Sequence, residues 1–180
     1  MTGKVIWFTG MSGSGKTTIA EGLYKRLIEK SQKVRLLDGD VIRKELHSTL
    51  GFTPEDIKKN NALVVELCKK LQGNNDYILV ALISPFEESR KNARENIGNE
   101  FIEVYVKASK KTLIQRDVKG LYKKALNGEI ENFIGISPSV PYEPPQNPDI
   151  SIDTEKLSSQ ASVEHVLKYL SPLCQNSCHL

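Results

Sequence analysis

The chain has 180 residues, a formal net charge of +3, 39% apolar and 26% charged residues, which is enough length to bury one core, and a single domain over residues 1–180 is expected. No stretch approaches the about 18 consecutive apolar residues of a membrane span, and the lysines are scattered rather than blocked, so neither a membrane nor a nucleic-acid partner is expected. Cys68, Cys174 and Cys178 are odd in number and give no disulfide framework, and Cys174 and Cys178 with His179 have no fourth metal ligand nearby. The amino terminus runs directly into the first expected strand, and a cytoplasmic location follows as the expectation.

Lys4 to Thr9 is β-branched and aromatic, as a buried strand should be, and Thr17 to Lys30 spaces Ile19, Leu23, Leu27 and Ile28 at helical intervals. Between them Gly10-Met11-Ser12-Gly13-Ser14-Gly15-Lys16-Thr17 fits G-x-x-x-x-G-K-[ST] at every fixed position. Strand, glycine loop and helix in that order make a phosphate cradle. The loop turns its N–H groups toward one anion, and the positive end of the helix points at the same place. The expected ATP-binding set is Gly10, Ser12, Gly13, Ser14, Gly15, Lys16, Thr17 and Thr18. Lys16 would reach the β and γ phosphates, and Thr17 would offer its hydroxyl to Mg²⁺.

Val34 to Leu37 is a short strand that runs into Asp38-Gly39-Asp40, two carboxylates at a strand's carboxyl end. One can hold Mg²⁺ while the other, or the same one, accepts a hydroxyl proton; the plain alternative is a solvated turn with a capping Asp. Val41 to Leu46 reads as a short helix carrying Arg43. Thr53-Pro54-Glu55-Asp56 opens a longer helix as N-cap, first-turn proline and near-capping-box acid; Leu63, Val64, Leu67 and Leu71 are its expected buried face, and Gly73-Asn74-Asn75 its end. Tyr77 to Ile83 is an unbroken apolar strand, and Ser84-Pro85-Phe86-Glu87 reads as the start of a helix to about Ile97 with Ser84 as N-cap.

Phe101 to Val106 is the next strand, and Ser109 caps a helix that ends near Asp117. Residues 116–148 then break the rhythm with Gly120, Gly128, Gly135 and five prolines, the composition of a lid. Arg116 and Lys119 at its start could close over donor phosphates, or be ordinary cations at a helix C-terminus. Ile150 to Ile152 is a last strand, and Val163 to Leu170, capped by Ser162, a last helix. Alternating strands and helices imply an α/β three-layer sandwich, a mostly parallel sheet with helices on both faces. No hydrophobic-to-Asp strand with an ATPase sensor, and no assignable arginine finger, is expected further on, which favours a small-molecule kinase over a mechanical ATPase.

Gly10 to Thr17, Leu37 to Asp40, Arg43, Leu50-Gly51-Phe52, Ile83 to Phe86, Phe101 to Val104, Arg116 to Tyr122, Phe133 to Ile136 and Tyr142-Glu143 together resemble the adenylyl-sulfate kinase family over essentially the whole chain. The resemblance implies a P-loop kinase fold, ATP with Mg²⁺, transfer to the ribose 3′-hydroxyl of a small-molecule acceptor nucleotide, and a homodimer. It implies that Phe52 stacks the acceptor base, that Arg43 holds its 5′ anionic group, and that Lys119, Asn132 and Phe133 form the lid side of the pocket. Asp40, Ile57, Asn60, Ile83 and Ser84 complete the acceptor set. Lys16, Asp38, Asp40 and Lys119 form the catalytic set, and Arg116 joins the ATP side.

One segment departs from that pattern. Where the family reads Asp-Arg-x-x-Asn-Ile-Arg-Arg, this chain reads Asp56-Ile57-Lys58-Lys59-Asn60-Asn61-Ala62-Leu63. Three arginines are replaced, while Arg43, Arg90, Arg94 and Arg116 remain in a chain with six Arg against 19 Lys. An arginine fork on a sulfate or phosphate contributes about 1.5–3 kcal/mol per bond, so its loss costs acceptor affinity about ten- to a hundredfold. Relatives of the family phosphorylate cytidine diphosphoramidate in capsule phosphoramidate modification. The altered segment points to that acceptor ahead of adenylyl sulfate. A non-catalytic nucleotide-binding module and another metabolite kinase are the remaining alternatives.

Overall fold

The computed structural model describes residues 2–45 and 49–175. Five strands, β1 (Lys4–Thr9), β2 (Val34–Asp38), β3 (Tyr77–Ala81), β4 (Phe101–Lys107) and β5 (Ile150–Asp153), pair in parallel in the order β2-β3-β1-β4-β5. The helices are α1 (Lys16–Glu29), α2 (Gly39–Glu45), α3 (Pro54–Gln72), α4 (Glu87–Ile97), α5 (Lys110–Arg116), α6 (Leu121–Leu126) and α7 (Ser159–Gln175). The fold is the expected α/β P-loop kinase sandwich.

Strand periodicity decides what each layer buries. Ile6 and Phe8 of β1 face Ile19, Leu23 and Leu27 of α1 and Val163, Val166 and Leu170 of α7. Val5 and Trp7 face the other way, onto Val64, Val65 and Cys68 of α3 and Ala93 and Ile97 of α4. A third cluster, Ile57, Phe86, Ile134 and Val140 with Ile83 and Tyr142 against it, lies beyond the strand ends and joins α3 to the segment after α6. The outer layers therefore hold the carboxyl ends of β1, β2 and β3 in one row, where open parallel sheets place their ligands.

Several local expectations need correction. Leu63 is 39% exposed rather than buried, because the buried face of α3 runs through Ile57, Asn61, Val64, Val65 and Cys68. Ser84 is not a helix cap: α4 starts at Glu87 with Phe86 before it, and Ser84 sits at φ +46 with its Oγ accepting from Trp7 Nε1 at 2.9 Å. Ser162 lies inside α7, where it donates to Ser158 O, and the Ser158 hydroxyl accepts from the Ala161 N–H instead. Strand β3 stops at Ala81, two residues early, and the segment expected to be irregular contains helix α6. Thr53 and Ser109 do cap α3 and α5, accepting from Asp56 N and Thr112 N. Leu46, Cys178 and His179 lie outside the described residues. No helix among the described residues is long and apolar enough to cross a membrane.

Candidate active site

The loop between β1 and α1 is shaped for an anion. Gly15 has φ +103, a conformation side chains resist, and a Cβ on Gly10 would stand 2.3 Å from the Val106 carbonyl oxygen. Lys16, 8% exposed, donates from Nζ to Gly10 O at 2.8 Å and Met11 O at 2.9 Å. Burial, then the nearby Lys119 ammonium, lowers its pKa to about 7, with Asp40 and Asp38 opposing. Ser14 is buried, and its Oγ has no hydrogen-bond partner among the described residues. A cradle without room for side chains and a buried cation fit a polyphosphate chain.

Asp38, at the last position of β2, meets this loop. Its Oδ2 accepts from Thr17 Oγ1 at 2.8 Å, and its Oδ1 accepts from Asp40 N at 2.9 Å and Val41 N at 3.4 Å, the opening amides of α2. Two hard oxygens on adjacent elements suit Mg²⁺, which is held by one or two protein groups plus substrate phosphates. Among the described residues no cluster of three or more His, Cys, Asp or Glu side chains could hold a metal alone. Asp40 is the more open carboxylate, and its partner is Lys119 Nζ from the lid segment.

These groups line a cavity of about 220 Å³ that extends from Ser12, Gly13, Gly15, Lys16, Thr17 and Thr18 to Arg43, Phe52, Ile57, Asn60, Asn61, Ile83 and Ser84. The Arg43 guanidinium lies 4.4 Å from the centroid of the Phe52 ring and donates to Leu50 O and Gly51 O, so one face of the ring carries a cation. Lid contacts close the far side. Tyr122 Oη donates to Ser12 O at 2.8 Å, and Gly135 lies so close to Met11 that a Cβ would stand 2.4 Å from its Cε.

Five expected site residues do not line the cavity, the first being Gly10, whose carbonyl oxygen accepts from Lys16 Nζ. Asn132 accepts from Ser139 Oγ and Phe133 packs edge-on against Tyr122; neither lines the cavity, which Val118 and Ile134 line instead. Arg116 also lies off the cavity and donates to the Thr154 hydroxyl and carbonyl oxygens. Ser14 is enclosed behind the loop. Of the three replaced arginine positions, only Ile57, 3% exposed, lines the cavity; Ala62 and Leu63 are exposed on α3, so the change reaches the acceptor side at one position rather than three. Asn61 was not singled out from sequence, although its spacing of four from Ile57 puts both on one helix face.

Residues 2–153 match the family profile described as Adenylylsulphate kinase. The chain is 49% identical over 168 residues to an adenylyl-sulfate kinase of Halothermothrix orenii, covering 93% of this chain and 89% of that one. Among solved structures, the Mycobacterium tuberculosis APS kinase in complex with AMPPNP and APS superposes with a TM-score of 0.88 at 35% identity, covering 94% of this chain and 98% of that one. A hexameric APS kinase from Thiobacillus denitrificans superposes at 0.71 and 28% identity, covering 95% of this chain and 29% of that one.

Proposed function

The chain belongs to the adenylylsulphate kinase family, as a P-loop kinase using ATP with Mg²⁺, and from that premise we propose that its acceptor is the ribose 3′-hydroxyl of adenylyl sulfate. The observation that carries this reading is the single cavity in which the phosphate loop, the Thr17–Asp38 pair and the Asp40–Lys119 pair face Phe52 and Arg43. The names of the relatives favour adenylyl sulfate over the cytidine diphosphoramidate expected from the altered segment.

Thr17 and Asp38 would hold Mg²⁺, which would supply positive charge against the charge developing on the transferred group. Lys16 and the loop amides hold the donor phosphates. With Asp38 assigned to the metal and to the amides that open α2, Asp40 is the proton acceptor in this reading. The acceptor 3′-oxygen forms its bond to the γ-phosphorus as the bond from phosphorus to the β,γ-bridging oxygen breaks, releasing ADP, and the hydroxyl proton passes to Asp40. Lys119 leaves Asp40 to face the transferring oxygens. The homodimer implied by the family belongs to the same reading.

A second reading keeps cytidine diphosphoramidate as the acceptor, and Ile57 favours it: an apolar wall is a poor match for a sulfate. A coupled assay with ATP and both acceptors decides. A kcat/KM at least about tenfold higher for adenylyl sulfate supports the first reading; the reverse order overturns it in favour of the second.

A further inference from the structure

Helix α3 presents a hydrogen-bond donor that no described residue satisfies. Asn61 is 2% exposed, lines the cavity, and its Nδ2 has no partner among the described residues. It lies one turn after Ile57 on the same face, and that face continues as Val64, Val65 and Cys68 in the apolar layer over the sheet. A buried donor without an acceptor keeps its desolvation penalty, so such groups are rare and call for a reason. Two other buried polar side-chain atoms lack a hydrogen bond among the described residues. Glu103 Oε1 has an ion-pair partner in Arg90 Nε at 2.9 Å, and Ser14 Oγ is enclosed behind the phosphate loop, off the cavity. Asn61 is the remaining one, and it borders the substrate cavity.

Its position indicates which part of a substrate it meets. Phe52 immediately precedes Thr53, the N-cap of α3, so a base stacked on Phe52 lies beside the first two turns of that helix. Those turns offer the cavity an apolar Ile57 and a neutral amide at Asn61. A sulfate or phosphate calls for a cation, whereas a base edge calls for a flat apolar contact and a neutral N–H. The family pattern has Arg and Ile where this chain has Ile57 and Asn61, so polar and apolar side chains have changed places across one helical turn.

We propose that Asn61 is a specificity-determining residue whose Nδ2 donates to a carbonyl oxygen or ring nitrogen on the base of the acceptor nucleotide. This rests on the reading above that the cavity takes a nucleotide as phosphoryl acceptor. The test is equilibrium titration of adenylyl sulfate and of cytidine diphosphoramidate into the protein with AMPPNP and Mg²⁺ filling the donor site, which measures binding without turnover. Asn61→Leu and Asn61→Ala, both lacking the donor, should each weaken the tighter-binding nucleotide about tenfold or more. The AMPPNP Kd should stay within about twofold, and the ligand-free Tm of Asn61→Leu should not fall below wild type, because an unpaired buried amide has been removed. An acceptor Kd within about twofold of wild type overturns the proposal, as does a joint loss of AMPPNP affinity and Tm, the mark of a structural role. Wild-type protein that binds a nucleotide yet turns over neither sinks the kinase reading alone, with Asn61 still judged by the same Kd comparison; wild type that binds neither overturns both.

Discussion

The two ends of the cavity are built on different terms. At the donor end one continuous loop, closed by one strand end, carries the cradle, the buried Lys16 and the oxygens of Thr17 and Asp38 proposed for the metal, and its groups already hold one another: Lys16 on Gly10 O and Met11 O, Thr17 on Asp38. At the acceptor end the wall is assembled from α2, the Phe52 turn, α3, the turn after β3 and the lid, and it combines an Arg43–Phe52 stack, an apolar Ile57 and an Asn61 whose Nδ2 has no partner among the described residues. A polyphosphate is the same in every kinase of this class, so a fixed set of contacts serves it. Acceptors differ, and a wall made of separate elements can change one residue without disturbing the rest.

The sharpest way to break this division is at Lys16. Lys16→Met should lower kcat by about a hundred- to a thousandfold with any acceptor, since it removes a preorganised charge from the transferring phosphates. Steady-state kinetics with both acceptors measure it. A loss confined to one acceptor would mean that Lys16 also serves the acceptor end.

Ile57→Arg probes the other end, with a smaller effect. The new guanidinium should raise kcat/KM for adenylyl sulfate about tenfold or more, by a charge-assisted contact reached along the cavity wall, and leave the KM for ATP within about twofold. It also loses packing against Phe86, Ile134 and Val140, so Tm should drop by about 2–8 °C, equivalent to about 1–2 kcal/mol in a chain of this size. Unchanged adenylyl-sulfate kinetics would show that position 57 does not set acceptor affinity.

The same contrast explains what could be read before any coordinates. The donor end is local in sequence: eight consecutive positions and their flanks carry it, and Asp38-Gly39-Asp40 follows at the next strand end. The alternation of strands and helices and both apolar layers follow from the same periodicity, whereas the strand order β2-β3-β1-β4-β5 does not. The acceptor end is a tertiary assembly. Nothing in the sequence turns Asn132 and Phe133 away and brings Val118 and Ile134 in, because that depends on Phe133 packing on Tyr122 and Asn132 bonding to Ser139. Ser84 looks like a cap by its neighbours, yet a strained backbone and the Trp7 indole hold it three residues before α4 begins. The replaced arginines were legible as replacements. Which of them faces the cavity depends on how α3 is rotated, and its face is set by Ile57, Asn61, Val64 and Cys68 rather than by Leu63.

The smallest expected effect lies in stability and tests whether the donor end is strained in its ligand-free form. The Lys16 pKa is about 7 in the folded chain against an ordinary 10.5, chiefly because burial disfavours the ammonium. Between those values the unfolded chain holds a proton that the folded chain has released, so stability rises with pH across that window, and the penalty is complete below about pH 7. Methionine at this position carries no such penalty. The Tm of Lys16→Met relative to wild type should therefore be highest near pH 7 and decline as pH rises toward 10, whatever constant offset the lost bonds to Gly10 O and Met11 O impose. Thermal unfolding of both proteins in matched buffers at constant ionic strength reads the trend. A difference that stays flat from pH 7 to pH 10 would mean that Lys16 is charged without cost in the empty loop, and that the donor end, unlike Asn61, holds nothing in reserve for its ligand.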